Sequence, residues 1–157
     1  MAIFIPGMKC PLCGLPIEEG EQRVLFPSFV SNSADPLWRF SDGAFHAACV
    51  SRDPLGQMAV TTSAKALVEG APGRRLCVVC GNRIDNPDDY LSLGYLTSDP
   101  LDPLYEFNYR QFHLAHVSLW RELDRFVGML KDFRRRSASE NPPFEWLLKR
   151  LTSQAKA

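Results

Sequence analysis

Eight side chains of the kind that bind borderline-soft metal ions stand in four pairs along this 157-residue chain. Cys10 and Cys13 form one Cys-x-x-Cys pair and Cys77 and Cys80 another, while His46 precedes Cys49, and His113 precedes His116, at the same spacing. No cysteine or histidine is left over, since the chain holds five of one and three of the other. Five thiols cannot all close into internal disulfides, and Cys-x-x-Cys reads as a metal-binding or a redox pair. The redox reading needs a thioredoxin-like βαβ setting, which is missing here. The pattern therefore predicts metal coordination in a reducing compartment. Thiolates and imidazoles in these proportions favour zinc, which asks only for tetrahedral geometry, over iron–sulfur clusters, which usually take four cysteines.

The pairs recur because the sequence does. A shift of 67 residues without a gap lays Cys10 on Cys77, Cys13 on Cys80, Gly14 on Gly81, Ile17 on Ile84 and Asp35-Pro36-Leu37 on Asp102-Pro103-Leu104. The same shift lays Phe40 on Phe107, Phe45-His46 on Phe112-His113 and Cys49 on His116. Twelve of the forty positions from Cys10 to Cys49 are identical in this alignment. A common register of that length identifies a tandem duplication.

Each copy must bring a knuckle and a second ligand pair together across more than thirty intervening residues. The glycine after each Cys-x-x-Cys suits the backbone reversal that turns N–H groups toward thiolates. A β-prone stretch follows, Arg23-Val24-Leu25-Phe26 or Tyr90-Leu91-Ser92-Leu93, and an Asp-Pro turn then predicts a second short strand at Leu37 to Phe40 or Leu104 to Phe107. A helix is expected to begin at Phe-His-x-x-Cys/His, where ligands three apart share one face of the first turn.

Knuckle, hairpin and helix start together resemble the treble-clef zinc fingers, in which two ligands come from a knuckle and two from the beginning of a helix. The resemblance covers Cys10 to about Arg52 and Cys77 to about Arg136. A LIM domain would carry a further cysteine shortly after each His-x-x-Cys, which is absent here. Duplicated modules of this kind are similar to those of small uncharacterised bacterial zinc-binding proteins. The implied fold is small, metal-stabilised α+β: two tandem treble-clef-like modules with extra C-terminal helices. That fold group includes nucleic-acid binders, protein adaptors, ubiquitin-handling modules and nucleases, so the resemblance implies zinc and leaves function open.

Two structural zinc ions are expected, because four protein ligands leave no open position for a reactive water. In a sequential arrangement Cys10, Cys13, His46 and Cys49 hold one ion and Cys77, Cys80, His113 and His116 the other. A cross-braced arrangement would instead join the four knuckle cysteines and, separately, His46, Cys49, His113 and His116. Duplication favours the sequential form, since each copy had to close its own site before it was doubled. Three thiolates leave the first site at a net charge of about −1 and two leave the second near zero. The first site is accordingly expected to need more basic or N–H partners.

The rest of the composition bounds the reading. Basic and acidic residues number 18 each, and 45% of the chain is apolar, which excludes a disordered or collagen-like protein and any global attraction to nucleic acid or anionic lipid. No apolar run approaches the roughly 20 residues of a membrane span, and Met1 to Gly7 lacks a basic leader region, so a soluble, unexported, cytoplasmic protein is expected. Charge is uneven: Arg121 to Ala157 holds nine basic and five acidic residues.

Beyond the ligand pairs, Asp53-Pro54 reads as the start of a helix that Gly70 stops, with 71–75 as linker. Val117, Trp120, Leu123, Phe126, Val127, Leu130 and Phe133 predict one long amphipathic helix ending in Arg134-Arg135-Arg136, and Phe144 to Gln154 predict a final short one. The expected boundaries are 1–70 and 71–136 for the zinc modules and 137–157 for a helical tail. Trp38 and Tyr105 occupy equivalent positions and are expected to cover the metal sites or the contact between copies, or else to form a binding surface.

Three function classes follow. The first is a non-catalytic zinc platform that binds another protein, with Trp38, Tyr105, Arg134, Arg135, Arg136 and Trp146 as candidate contacts. The second is nucleic-acid binding through Lys131, Arg134, Arg135, Arg136, Lys149 and Arg150. A treble-clef nuclease is the third and is disfavoured, because every histidine is already assigned to zinc and none remains as a base.

Overall fold

In the computed structural model, which describes residues 3–136 and 140–154, the two copies fold in the same register. Strand β1 (Arg23–Phe26) pairs antiparallel with β2 (Gly43–His46), placing Arg23 opposite His46 and Val24 opposite Phe45. Strand β3 (Tyr90–Ser92) pairs with β4 (Gln111–His113), placing Tyr90 opposite His113 and Leu91 opposite Phe112. These partners coincide under the 67-residue shift. The knuckles coincide as well: Gly14 N–H donates to Cys10 O and Gly81 N–H to Cys77 O, both at 2.8 Å. Gly14 and Gly81 have φ of +73° and +74°, a left-handed conformation that glycine adopts without steric cost.

The second strand of each hairpin lies later than the sequence pattern predicts. Pro36–Phe40 and Tyr105–Phe107 are 3₁₀ turns. The reason lies in the Asp-Pro pair, whose carboxylate caps the turn while proline supplies a preset φ in the first copy. Asp35 accepts the Leu37 N–H and Asp102 accepts the Leu104 N–H, each at 2.8 Å. In a three-residue period Leu37 and Phe40 face inward together, as do Leu104 and Phe107, and all four are buried. The residue after each leucine then faces out. Trp38 is 37% exposed and Tyr105 45%, and Tyr105 borders a cleft that Thr62, Lys65, Tyr95 and Tyr109 also line.

After β2, helix α1 (Ala47–Arg52) ends where the Asp53 N–H reaches the carbonyls of Cys49 and Val50. Asp53 caps the turn at Leu55 rather than a helix at Pro54, and α2 runs Gly56–Glu69. Gly56 is required at this corner, because a Cβ there would lie 1.8 Å from the Val50 carbonyl oxygen. The 71–75 linker contains a short 3₁₀ turn at Pro72–Arg74.

In the second copy the single long helix after His113 divides into a 3₁₀ segment, Leu114–Leu119, and helix α3, Leu123–Arg136. Trp120 has extended backbone at the break. Its ring lies 4.8 Å from Phe112, 5.6 Å from Phe126 and 5.7 Å from Phe107, centroid to centroid. Helix α4 (Pro142–Gln154) adds Phe144, Leu147, Leu148 and Leu151 to the same core.

Two hydrophobic cores result, one per copy, with the second extended by α3 and α4. They meet along a polar seam. Tyr95 of the second copy is buried in the first core, and its carbonyl accepts the Ser31 N–H at 2.7 Å. Asn141 Nδ2 donates to Asn32 Oδ1 at 2.6 Å, with both residues buried. Asp35 uses its second oxygen to accept the Ser98 N–H at 2.6 Å. No helix among the described residues is long and apolar enough to cross a membrane.

The duplication supplies an internal control for this seam. Asp102→Ala removes only a turn cap and is expected to cost about 1 kcal/mol. Asp35→Ala removes the equivalent cap and also strands the Ser98 N–H, for a further loss of about 1–3 kcal/mol. Denaturant unfolding of the two metal-loaded variants checks the difference, and equal losses would show that the seam bond contributes nothing.

Candidate metal centres

The backbone brings each knuckle against the end of its own hairpin. Cys10, Cys13, His46 and Cys49 form one group and Cys77, Cys80, His113 and His116 the other, with ligand atoms in each group within 4.8 Å of one another. The grouping is sequential, and all five cysteines are free of disulfides. Each group can hold a metal ion.

Geometry tests the fit. Tetrahedral coordination with metal–sulfur and metal–nitrogen bonds of about 2.3 and 2.0–2.1 Å puts sulfur and nitrogen about 3.6 Å apart. Cys13 Sγ lies 3.4 Å and Cys49 Sγ 3.9 Å from His46 Nδ1. In the second group Cys80 Sγ is 3.6 Å from His113 Nδ1, and Cys77 Sγ is 3.6 Å from His116 Nδ1. All three histidines thus present Nδ1 to their group. His46 Nε2 is directed at Pro16 O, 3.2 Å away, and lies 3.3 Å from a Glu21 carboxylate oxygen. A ligating imidazole whose other nitrogen donates to a carbonyl or carboxylate is held in the right tautomer and orientation.

The thiols are prepared for binding by the same backbone. Burial alone would push the Cys10 thiol up, but the backbone N–H groups of His46, Leu12 and Cys13 outweigh it and bring the value down to about 6. Cys77 is likewise lowered to about 6 against its burial, by the N–H groups of His113, Cys80 and Val79 and by the His116 side chain. His46, Leu12 and Cys13 shift onto His113, Val79 and Cys80. At Cys10 and Cys77 both copies offer the same three backbone donors, because these come from the duplicated knuckle and from the first residue of the second ligand pair. Contact with Cys10 first, then with Cys13, raises His46 to about 9, and burial followed by the neighbouring Cys13 and Cys10 raises Cys49 to about 11.

The other candidate residues lie apart from the clusters. Trp38, Tyr105 and Trp146 are exposed, Trp146 at 59%. Arg134 pairs with Glu145 and Arg135 with Asp132, each at 3.3 Å. The Arg136 side chain lies outside the described residues. Comparison of the chain with protein-family models, with curated proteins and with solved structures gave no match, so the argument for function rests on geometry.

Metal loading requires deprotonated ligands, so the protons held near neutral pH by His46 and Cys49 must leave when the first cluster fills. Apparent affinity is expected to rise as pH is raised toward 9 and to fall steeply as acid protonates Cys10 and Cys77 below about 6. A pH-stat titration of the metal-free chain measures this as base consumed per metal added. Chelation is expected to abolish the far-UV circular dichroism of both copies, since apparent binding energies of about 10 kcal/mol per structural site rival the whole stability of a small domain.

Proposed function

We propose that this chain is a tandem treble-clef zinc protein, with one structural zinc ion in each cluster, and that it serves as a non-catalytic platform for binding another protein in the cytoplasm. The observation that carries this reading is the pair of clusters, each joining a knuckle to the end of its own hairpin, with the N–H of His46 or His113 turned to the Cys10 or Cys77 thiol. Four protein donors complete a tetrahedral sphere, which makes the ion a brace and leaves no position for activated water. All three histidines stand in these clusters, and the reading assigns no reaction to the chain.

A braced scaffold is suited to presenting side chains rigidly. Trp38 and Tyr105 extend from equivalent capped turns whose inner residues are buried. Exposed aromatic residues on rigid backbone are typical anchors of protein interfaces, because they bury large area at small entropic cost. The neutral net charge and the ion pairs of Arg134 and Arg135 weaken the case for a phosphate-binding surface.

One observation favours the nucleic-acid reading in part. Lys149 and Arg150 lie one turn beyond exposed Trp146 on α4, a combination of ring and cation used in single-strand binding.

The platform reading is tested with the double variant Trp38→Ala/Tyr105→Ala. It should keep two zinc equivalents and native circular dichroism while losing captured protein partner by roughly 30-fold per anchor, the equivalent of about 2 kcal/mol each. Undiminished capture would overturn the assignment of these turns. Binding of single-stranded oligonucleotide that weakens steeply with salt and disappears in Lys149→Ala/Arg150→Ala would replace it with the second reading.

A further inference from the structure

Where the two copies meet the last turn of α2, they enclose a cleft of about 180 Å³. Phe29 and Ser31 come from the first copy, Glu69 from α2, and Tyr95, Tyr109 and Gln111 from the second. Gln111 is 4% exposed, and its Nε2 donates to the Glu69 carbonyl at 2.7 Å. That bond settles which way the amide is turned, because the reverse orientation would set two acceptor oxygens against each other. Gln111 Oε1 is left with no hydrogen-bond partner, the one buried side-chain nitrogen or oxygen among the described residues in that condition.

The duplication shows that this amide is not a requirement of the fold. Gln111 stands opposite Ser92 in the second hairpin, and the equivalent position in the first is Ala44, opposite Leu25 and equally buried. One copy thus carries a small apolar residue where the other carries a polar group with an unused acceptor, and it does so at the seam. A buried acceptor without a donor is unfavourable by about 1–3 kcal/mol, which a donor supplied from outside would recover.

The surrounding groups select the donor. The Glu69 carboxylate has no ion pair or hydrogen bond within the described residues and lies close enough to Tyr109 to act on its phenol. The Tyr95 and Tyr109 rings lie 5.7 Å apart, and aromatic faces attract cations. Tyr109 already carries one: in the adjoining cleft, which shares both tyrosines, Lys65 Nζ sits 5.0 Å from the Tyr109 ring centre. An anion would be repelled by Glu69, and an apolar group would leave Oε1 unmatched. The volume falls below the roughly 300–1,000 Å³ of pockets for drug-sized ligands and suits a single head group.

We propose that the seam cleft binds an organic cation bearing N–H donors, a guanidinium or primary ammonium, through Gln111 Oε1, the Glu69 carboxylate and the Tyr109 ring. Such a group is offered either by a free small amine or by an arginine or lysine side chain of another protein. The site is independent of the platform reading, since it involves neither Trp38 nor Tyr105.

The test is a nuclear magnetic resonance titration of the metal-loaded, full-length, ¹⁵N-labelled chain. Butylguanidinium is expected to shift the Gln111 side-chain amide and the Gly70 and Gly94 backbone signals saturably, whereas butylurea, its neutral counterpart, should not. Glu69→Gln, at a carboxylate with no hydrogen bond or ion pair among the described residues, should weaken the response at least tenfold with metal content unchanged. Agmatine and an end-capped arginine tripeptide then distinguish the sources: saturable shifts with either support the site, and the tighter of the two names its natural occupant. No saturable response to any of these cations, an equal response to butylurea, or a response indifferent to Glu69→Gln would overturn the proposal and leave the cleft to water.

Discussion

Four donor atoms from two segments more than thirty residues apart must converge within 4.8 Å, and this convergence governs the rest of the structure. It dictates the left-handed glycine after each knuckle, which frees backbone N–H groups to face the thiols. It also dictates the hairpin, because Arg23 and Tyr90 must lie opposite His46 and His113 for the second ligand pair to reach the first. Each copy is too short for a large core, so the polar cluster and the small apolar cluster beneath it are parts of one unit.

Duplication gave two such units, and what differs between them is how each is covered. The first core is completed by α2 and by Tyr95 borrowed from the second copy. The second is completed by α3 and α4, with Trp120 wedged among three phenylalanines. The seam is correspondingly unsymmetrical: Asp35 bonds across it through Ser98, whereas Asp102 serves only its own turn. Identical motifs therefore carry different structural loads according to what lies next to them.

Much of this was legible in the sequence. The donor pairs and the common register follow from ligand spacing and from a gapless shift, and the extent of β1 follows from its β-prone residues, all one-dimensional properties. The misplaced second strand shows the limit. Leu37 to Phe40 has strand-like residues, yet the Asp35 cap and Pro36 turn it into a 3₁₀ helix. The apolar spacing after His113 is helical throughout, yet packing of the Trp120 ring interrupts the helix.

Composition and spacing by themselves determined the duplication, the identity of the eight donors and the absence of any histidine outside them, because each is a matter of residue type and separation. Tertiary structure alone decided that the donors group sequentially, that Trp38 and Tyr105 face outward and Tyr95 inward, and that Gln111 meets Glu69 across the seam. The physical reason is that exposure and hydrogen-bond satisfaction depend on what packs against a residue, and here the packing partners come from the other copy or from helices far along the chain.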